Sequence, residues 1–228
     1  MTAAWVFVDS VDEPAIDDAD AHHLSRVLRL RDGESLVVSD GRGRWRHAVW
    51  RAGAVDAVGD VLVTDAPVPA ITIAFALTKG EKPELAVQKL TELGVDVIVP
   101  FAAARSVARW DPEKAARNGE RLRRIAREAS MQCRRAWLPT VLDAMSFADV
   151  AAMRGASIAE AGAVDGPSLA TPTVLVGPEG GWGDEELGAG LPRVGLGPHV
   201  LRAETAAIAA ATLLSAQRAR LVGPFRAE

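Results

Sequence analysis

A short proline-rich segment divides the chain into two parts with different secondary-structure patterns. Ala66-Pro67-Val68-Pro69-Ala70 places two prolines within three residues. Proline lacks the backbone N–H and its ring restricts the residue before it, so this segment can neither continue a helix nor lie in a central strand. We therefore predict a linker here, with one domain over residues 1–68 and a second over residues 70–228.

The residues before the linker are typical of a small β domain. Short runs with β-branched residues, bounded by Gly, Asp and Pro, predict strands at WVFVD, ESLVVSDG, WRHAVWRAG and DVLVTDA. Asp32-Gly33 and Asp40-Gly41 are turn signals between such runs. One short helix is predicted at Asp20–Leu30, where leucine and valine recur at a helical spacing.

The residues after the linker alternate between strand and helix patterns, which predicts an α/β fold. The apolar runs ITIAFAL (71–77) and VDVIVPF (95–101) are expected of parallel strands buried on both faces. VLVG (174–177) and RVGLG (193–197) predict two further strands that end in glycine. Proline and acidic residues at helix starts predict helices from Pro83 to Leu93 and from Asp111 towards Trp137.

The last predicted helix runs from Ala206 to about Leu221 and has no polar face before Gln217. A helix that is apolar all round is usually covered on all sides. It must therefore pack against its own sheet and against a second surface, which favours a homodimer.

The net charge of −4 conceals a segregation of charge along the chain. Residues 22–51 hold seven arginines and three acids, and residues 113–135 hold eight Lys or Arg and three acids. Residues 143–192 hold eight acids and one arginine. Arginine-rich helices are often only solvated faces. Two separate basic segments on an acidic chain nevertheless favour a polyanionic partner, because attraction for phosphate depends on where charge is concentrated.

Several classes of protein are disfavoured by what the sequence lacks. The first twenty residues hold six acids and no basic segment, and no uncharged apolar run of about 18 residues occurs, so neither a signal peptide nor a membrane span is expected. The single cysteine, Cys133, fits a reducing, cytoplasmic location. The four histidines have no metal-ligand spacing, and no phosphate-binding or serine-nucleophile motif is present, so no metal site is predicted.

Two glycine-rich turns follow two predicted strands of the second domain. They are VGPEGGWG (176–183) and GLGPHVLR (195–202). Glycine after a strand is often only turn chemistry, but it also lets backbone approach a ligand closely. Open α/β sheets bind ligands at the carboxyl ends of their strands. Two such turns in one domain favour a ligand site. Because the phosphate-binding, metal and serine-nucleophile motifs are absent, a group-transfer reaction with a bound cofactor remains.

These turns also carry a resemblance to a known family. LVGPEGGWGDEEL (175–187) and LGPHVLRAETAAIAA (196–210) resemble the two cofactor-loop motifs of the RsmE family, the 16S ribosomal RNA uracil-N3 methyltransferases of the SPOUT superfamily. The similarity continues through HHLSRVLRLRDGE (22–34), LTKGEKPELAVQKLTELGV (77–95) and ARSVARW (104–110). The resemblance therefore spans nearly the whole chain.

The family resemblance implies a fold, a cofactor and partners. The expected fold is an N-terminal PUA-like RNA-binding β-barrel followed by a SPOUT α/β domain with a trefoil knot. The expected cofactor is S-adenosyl-L-methionine, and the expected substrate is 16S rRNA or the small ribosomal subunit, bound by a homodimer. The expected reaction is methylation of N3 of a uridine.

The resemblance also implies roles for individual residues. The cofactor-binding residues implied by it are Leu77, Leu175, Gly177, Gly181, Leu196, Gly197, Leu201 and Thr205. Thr205 has an equally good interpretation as a helix N-cap. Arg202 is the candidate for stabilising negative charge on the uracil and Glu204 the candidate for taking its proton. Glu204 is equally well explained as an acid that complements a helix N-terminus.

The candidate RNA-binding residues are cations and one amide distributed over both domains. They are Arg26, Arg29, Arg31, Lys79, Lys82, Arg105, Gln132, Arg134 and Arg135. The long helix departs from the family here, because the common pattern E-Q-[SC]-G-R reads Met131-Gln132-Cys133-Arg134-Arg135 in this chain. The segment SIAEAGAVDGPS (157–168) is a weak match to the strand expected there.

Two alternative functions remain open from the sequence. One is a SPOUT-type methyltransferase that acts on another RNA, such as a tRNA base or ribose. The other is a non-catalytic RNA-binding protein of ribosome assembly. The pattern H-x-x-x-V-L-R at 23–29 favours the ribosomal RNA enzyme over the first, and the intact loop glycines favour an enzyme over the second.

Overall fold

The computed structural model describes residues 4–223, and these fall into two units. The first unit holds residues 4–66 together with 127–138, and the second holds residues 67–126 together with 139–223. The change of unit at Ala66–Pro67 lies within a stretch, 64–71, that contains no helix or strand. Residues 127–138 lie in the first unit, although the sequence pattern placed them in the second domain.

The first unit is built on a five-stranded sheet in the order β1-β2-β3-β4, with a fifth strand also beside β3. Its strands are β1 (Ala4–Phe7), β2 (Ser35–Ser39), β3 (Arg44–Arg51), β4 (Ala54–Ala57) and β5 (Leu62–Val63). β1 runs parallel to β2, and the other pairs are antiparallel. β4 was not predicted, because Ala54–Ala57 has a single β-branched residue. It pairs with β3 through a tight turn at Ala52-Gly53, where both residues have positive φ.

A helical segment lies where one was predicted, but it covers Asp18–Val27 and not Asp20–Leu30. α1 covers Asp18–His22 and is capped by Asp17, whose Oδ1 accepts a 2.7 Å hydrogen bond from the Asp20 amide. A π-helical turn continues it over His23–Val27. The chain then leaves the helix through Arg29 at φ 55°. The apolar spacing was read correctly as helical, but it does not encode the change of hydrogen-bond pattern.

The end of the long helix α3 (Pro112–Cys133) belongs to the first unit for reasons seen in its contacts. Arg127 forms an ion pair of 2.6 Å with the buried Asp20, and its guanidinium also donates to the carbonyl of Phe7. The hydrogen bond to Asp20 raises the pKa of Arg127. Beyond the helix, Trp137 Nε1 donates to the carbonyl of Thr64. A partly buried charge pair with several hydrogen bonds fixes this segment strongly, and no sequence periodicity signals it.

The second unit contains a seven-stranded sheet in which every pairing is parallel, as the apolar runs predicted. Its strands are β6 (Thr72–Ala76), β7 (Val97–Ala102), β8 (Thr140–Val141), β9 (Met145–Ser146), β10 (Ala156–Ala159), β11 (Thr173–Val176) and β12 (Arg193–Val194). The order is β12-β10-β11-β6-β7-β8, with β9 following β8 along the edge of β7. β10 lies in the segment with the weak family match and is a central strand.

Both faces of this sheet are covered, which explains the unbroken apolar runs. Ile73 and Phe75 of β6 face one core, which also contains residues of α3 and of two further helices, α2 (Lys82–Glu92) and α6 (Ala203–Arg218). Ala74 and Ala76 face the opposite core, beside the short helix α4 (Phe147–Ala151). Alternate residues of a strand point to opposite faces, so a strand covered twice is apolar at every position.

Pro100 lies inside the central strand β7, a position where proline is normally excluded. The amide of Leu142 donates to Ile98, so Ile98 and Pro100 face the side of β8 and β9. On that side β8 ends at Val141 and β9 begins at Met145. The missing N–H of Pro100 therefore faces a gap between two strands, and no ladder hydrogen bond is lost.

The last helix, α6, starts earlier than predicted, and its own chain buries only one of its faces. α6 begins at Ala203 with Arg202 as its N-cap, so Thr205 lies in the first turn and its interpretation as an N-cap is wrong. One face, including Ala207, Ala210 and Leu214, is buried against α2 and β6. The other face remains half-buried or exposed within the chain. Among residues 4–223, no helix combines the length and the apolar character needed to cross a membrane.

Candidate functional site

A cavity of about 350 Å³ lies at the carboxyl ends of three adjacent strands, β10, β11 and β12. It is lined by residues that lie one or two positions after those strands, namely Glu160, Gly177 and Leu196, and by the start of α6 at Ala203. This is the edge at which open parallel sheets bind ligands. Both predicted glycine turns contribute to it.

The first glycine turn is shaped by an aromatic side chain. A Cβ on Gly177 would lie 2.8 Å from the ring of Trp182, so only glycine lets the chain pass this ring. Trp182 stacks on Phe101 with ring centroids 6.1 Å apart, and its Nε1 donates a 2.9 Å hydrogen bond to the carbonyl of Ala159. The indole thereby joins the ends of β7, β10 and β11 and forms one wall of the cavity.

The same turn is anchored by a buried carboxylate. Glu186 lies in the short helix α5 (Asp184–Leu187) and is 4% exposed. Its Oε1 accepts a 2.8 Å hydrogen bond from the amide of Ala104, and its Oε2 accepts a 2.7 Å bond from the amide of Gly183. Burial of a carboxylate is costly unless its oxygens are satisfied, as they are here. Glu186 therefore has a positioning role for the loop.

The second glycine turn leaves the backbone polar groups between its two end residues unpaired. Within residues 4–223, no backbone N–H or carbonyl from Leu196 to Leu201 forms a hydrogen bond. Gly195 is pressed against the carbonyl of Ala163, where a Cβ would lie 2.2 Å from the oxygen. Gly197 has a φ of 135° and no atom within 4 Å of its Cβ position. Unpaired backbone groups beside a cavity are available to a ligand.

An ion pair joins three elements next to this cavity. Lys82 at the start of α2 bonds to Glu179 of the first glycine turn, and its Nζ lies 3.7 Å from Glu204 of α6. The hydrogen bond between Lys82 and Glu179 raises the pKa of the lysine and lowers the pKa of the glutamate. Lys82 thus links Glu179 in the first glycine turn with Glu204 in α6, the helix that follows the second glycine turn.

Five of the predicted cofactor residues are brought together at the cavity wall. They are Gly177, Gly181, Leu196, Gly197 and Leu201. Leu77, directly after β6, and Leu175, within β11, are buried instead, and Thr205 is exposed on α6. The side chains of these three residues do not line the cavity.

The two candidate catalytic residues begin α6 but differ in their environment. Arg202 is exposed, and its side chain makes no capping bond to the helix. Glu204 has 14% of its side chain exposed, and its Oε2 is buried without a hydrogen bond within residues 4–223. Glu204 lines a small recess beside Lys82 and not the larger cavity.

Four of the predicted RNA-binding residues meet in the first unit. Arg29, Arg31, Gln132 and Arg134 line one cavity of about 980 Å³. Arg26 is exposed outside it. Arg135 is half-buried, and its amide donates to the carbonyl of Ser130.

The predicted RNA-binding residues of the second unit divide differently. Lys79 lines a cavity of about 450 Å³ together with Arg109, Lys114 and Trp110, which were not predicted. A guanidinium nitrogen of Arg105 lies 3.7 Å from a carboxylate oxygen of Asp184, and the guanidinium also donates to the carbonyl of Gly180. Lys82 is occupied by the carboxylates of Glu179 and Glu204, so the structure places it beside the cofactor cavity and not in a basic surface.

Several residues of the site were missed by sequence reasoning. Glu160, Glu179, Trp182 and His199 line the main cavity. Glu179 and Trp182 lie within the glycine turn and could have been found by including its polar and aromatic members. Glu160 follows β10, whose sequence gave little strand signal. Among residues 4–223, no group of His, Cys, Asp or Glu is arranged to hold a metal ion.

Comparison with known proteins first defines the class. Residues 64–215 match the family described as RNA methyltransferase domain, and residues 16–49 match the RNA methyltransferase PUA domain. The β-rich first unit and the parallel α/β second unit with its glycine-lined cavity are therefore those of an RNA methyltransferase.

Individual relatives narrow this class to one family. The Ribosomal RNA small subunit methyltransferase E of Mycobacterium tuberculosis (strain CDC 1551 / Oshkosh) is 36% identical, and the match covers 92% of this chain and 90% of that protein. The protein of the same name from Bacillus subtilis (strain 168) is 30% identical, with 92% of each chain covered. The chain belongs to the ribosomal RNA small subunit methyltransferase E family, as its motifs predicted.

Solved structures agree with this assignment. A putative methyltransferase of Legionella pneumophila, in complex with the bound cofactor SAM, is 28% identical with a TM-score of 0.81, covering 95% of this chain and 98% of that chain. The Ribosomal RNA small subunit methyltransferase E of Neisseria gonorrhoeae, bound to S-adenosyl methionine, is 25% identical with a TM-score of 0.79, covering 95% and 97%.

Proposed function

We propose that this chain transfers the methyl group of S-adenosylmethionine to N3 of a uridine in 16S rRNA of the small ribosomal subunit, acting in the cytoplasm as a homodimer. The observation that carries the proposal is the cavity formed by both glycine turns at the carboxyl ends of β10, β11 and β12. Family members that match almost the whole chain are named for rRNA methylation, and two solved relatives hold the cofactor.

The residues at the cavity fit the chemical groups of S-adenosylmethionine. The unpaired backbone of 196–201 offers donors and acceptors to an adenine and a ribose. Leu196, Leu201 and Val176 offer apolar cover to a flat ring. Glu160 and Glu179 also line the cavity, and each is paired with a cation of the chain, Arg193 and Lys82. A volume of about 350 Å³ is in the range of small-molecule sites.

The trefoil knot is part of this proposal. From β11 the chain passes through α5 to β12, which lies on the far side of β10, and α6 then returns to pack on β6, α2 and β11. A chain that crosses a neighbouring strand and comes back in this way supports a threaded C-terminal segment, an arrangement that is rare in proteins.

The reaction requires that the imide proton of uracil leave N3, because its lone pair is a poor nucleophile before then. The bound cofactor supplies an electrophilic methyl group on a cationic sulfur. Glu204, which has a buried oxygen without a hydrogen bond among the described residues and lies 3.7 Å from the Nζ of Lys82, is the candidate for accepting this proton. The exposed Arg202 beside it offers positive charge to the uracil carbonyl oxygens.

An RNA substrate is supported by cations that have no partner among the described residues. Lys79, Arg109 and Lys114 line one cavity of the second unit, and none of their side chains forms an ion pair or hydrogen bond within residues 4–223. Exposed lysine and arginine side chains without partners are available to phosphates.

The decisive experiment is mass spectrometry of 16S rRNA after incubation with the protein and isotopically labelled cofactor. We expect one labelled methyl group on N3 of one uridine, with free rRNA and small subunits tested in parallel. The same assay on tRNA tests the alternative, because label on tRNA and none on rRNA would identify the enzyme as a methyltransferase of another RNA. A protein that takes up no cofactor in calorimetry would be a non-catalytic RNA-binding protein.

A further inference from the structure

The largest of the described cavities lies in the first unit, and none of its lining residues belongs to the cofactor loops. Its volume is about 980 Å³. Trp5, Leu28 and Met131 form apolar walls, and Trp5 is held against Trp45 with ring centroids 5.6 Å apart. Arg29, Arg31 and Arg134 supply positive charge, and Gln132 supplies an amide. Apolar and aromatic surface combined with guanidinium groups is the surface that binds unpaired nucleotides.

The arginines of this cavity differ from the other arginines of the same unit. Arg44, Arg51 and Arg127 are paired with Asp12, Asp56 and Asp20. In contrast, the side chains of Arg29, Arg31 and Arg134 form no ion pair or hydrogen bond among the described residues. Unpaired guanidinium groups that converge on one cavity point to an anionic ligand.

The charge of the cavity wall limits the size of that ligand. Glu34 and Glu128 also line it, so three arginines and two glutamates leave a formal charge of +1 with His23 neutral. This balance suits one or two phosphates and not the dense charge of a duplex backbone.

Two of these arginines occupy backbone positions that favour glycine. Arg29 has a φ of 55° and Arg134 a φ of 62°, and each follows the end of a helix. The amides after them complete helix-ending hydrogen bonds, from Leu30 to Leu24 and from Arg135 to Ser130. Glycine adopts this conformation without strain, whereas arginine does not. Two strained arginines that face one cavity indicate that their side chains contribute something else.

We propose that this cavity binds one unpaired nucleotide of the RNA substrate. The base packs against Trp5, Leu28 and Met131, Gln132 contacts its polar edge, and Arg29 and Arg134 bind the adjoining phosphates. This inference rests on the proposed function for its RNA ligand, and it adds a binding site separate from the methylated uridine.

The first test uses Arg134→Gly, which suits the backbone conformation and removes the side chain. Arg220→Gly is the matched control, because Arg220 is also exposed, has a φ of 58° and lies outside the cavity. With the full chain and a single-stranded RNA oligonucleotide, we expect Arg134→Gly to weaken binding about tenfold. The slope of log K against log salt should become shallower by about 0.7 for each phosphate that the variant no longer binds. Equal effects of the two variants would overturn the proposal.

The second test addresses the base. Leu28 lines the cavity and is 46% exposed, whereas its neighbour Val27 is 61% exposed and does not line it. Leu28→Glu should abolish the preference for single-stranded RNA over a duplex of the same sequence, and Val27→Glu should preserve it. If the wild-type protein binds both forms equally, the cavity recognises phosphate alone and the nucleotide site is wrong.

Calorimetry with S-adenosylmethionine separates this inference from the proposed function. All four variants should bind the cofactor with wild-type affinity, since none of these residues lines the cofactor cavity. Absent methyl transfer by the wild-type protein would overturn the proposed function, while the difference between Arg134→Gly and Arg220→Gly would still decide the nucleotide site.

Discussion

At the scale of single residues, the cofactor cavity depends on positions where a side chain is absent. Gly177 makes room for the ring of Trp182, and Gly195 makes room for the carbonyl of Ala163. A side chain at either position would clash with these atoms. Gly197 is different, because a Cβ there would meet no protein atom within 4 Å. Gly197 also lines the cavity, so we expect a side chain there to occupy the space of a ligand.

We therefore expect Gly197→Val to abolish cofactor binding while the protein remains folded. The φ of 135° makes valine strained there, by about 1–3 kcal/mol. Gly190→Val is the matched control, since Gly190 has a φ of 72°, equally open surroundings and no place in the cavity. Calorimetry should show cofactor binding by the control alone, with similar losses of melting temperature in both. Normal binding by Gly197→Val would show that the ligand lies elsewhere.

The sequence identified some residues of the cofactor cavity and not others. Gly197 was found because glycine after a strand is visible in a motif. Leu175 was carried over from the same motif, yet it lies inside β11 and faces the core. Glu160 was missed because it belongs to a turn after β10. A motif shows which residues are near a ligand along the chain, but strand alternation decides which side chains face it, and the face is fixed only by tertiary packing.

At the scale of elements, one lysine connects the parts that surround the cavity. Lys82 begins α2, Glu179 lies in the first glycine turn and Glu204 lies in the first turn of α6. The hydrogen bond lowers the pKa of Glu179 and raises that of Lys82. The pair therefore contributes stability above the ordinary carboxylate pKa and below the ordinary lysine pKa. This contribution is lost as the pH falls through the lowered pKa of Glu179.

We expect Lys82→Met to lower the melting temperature at pH 7 and to weaken cofactor binding. The difference from the wild-type protein should shrink as the pH falls through the lowered pKa of Glu179, because protonation then breaks the pair in the wild type as well. Lys89→Met is the control, since Lys89 pairs with Glu92 of the same helix. A Lys89→Met variant that weakens cofactor binding equally would contradict the role of Lys82 as a connection between elements.

Elements with strong local signals were predicted well, and those defined by tertiary contacts were not. β6 and β7 were visible as apolar runs because both of their faces are buried. α3 was visible as a helix, but its division between two units depends on the ion pair of Arg127 with Asp20. The residues of that pair are 107 positions apart, so no local pattern encodes it.

At the scale of the whole molecule, the last helix leaves one apolar face without cover from the described part of its own chain. Ile208, Ala209, Leu213 and Ala216 are half-buried and recur at a helical spacing. Thr212 lies among them, and its hydroxyl donates to the carbonyl of Ile208, so it presents mainly its methyl group. The opposite face of α6 is buried in the core. The surface of α6 left for a partner is therefore narrower than the sequence suggested. Periodicity shows that a helix is apolar, but it does not show which of its faces is covered by its own sheet.

We expect this face of α6 to form the homodimer contact of the proposed function, so Ile208→Glu should produce monomers. A carboxylate in an apolar contact between two copies would be desolvated without a partner, which is strongly unfavourable. In a monomer the same side chain can reach water, so the fold should survive. Val164→Glu is the control, because Val164 is 85% exposed in a loop of the same unit. Sedimentation at micromolar concentration should give dimers for the wild type and for Val164→Glu but monomers for Ile208→Glu. A wild-type protein that sediments as a monomer would contradict the dimer itself, and a dimeric Ile208→Glu would move the contact to another surface.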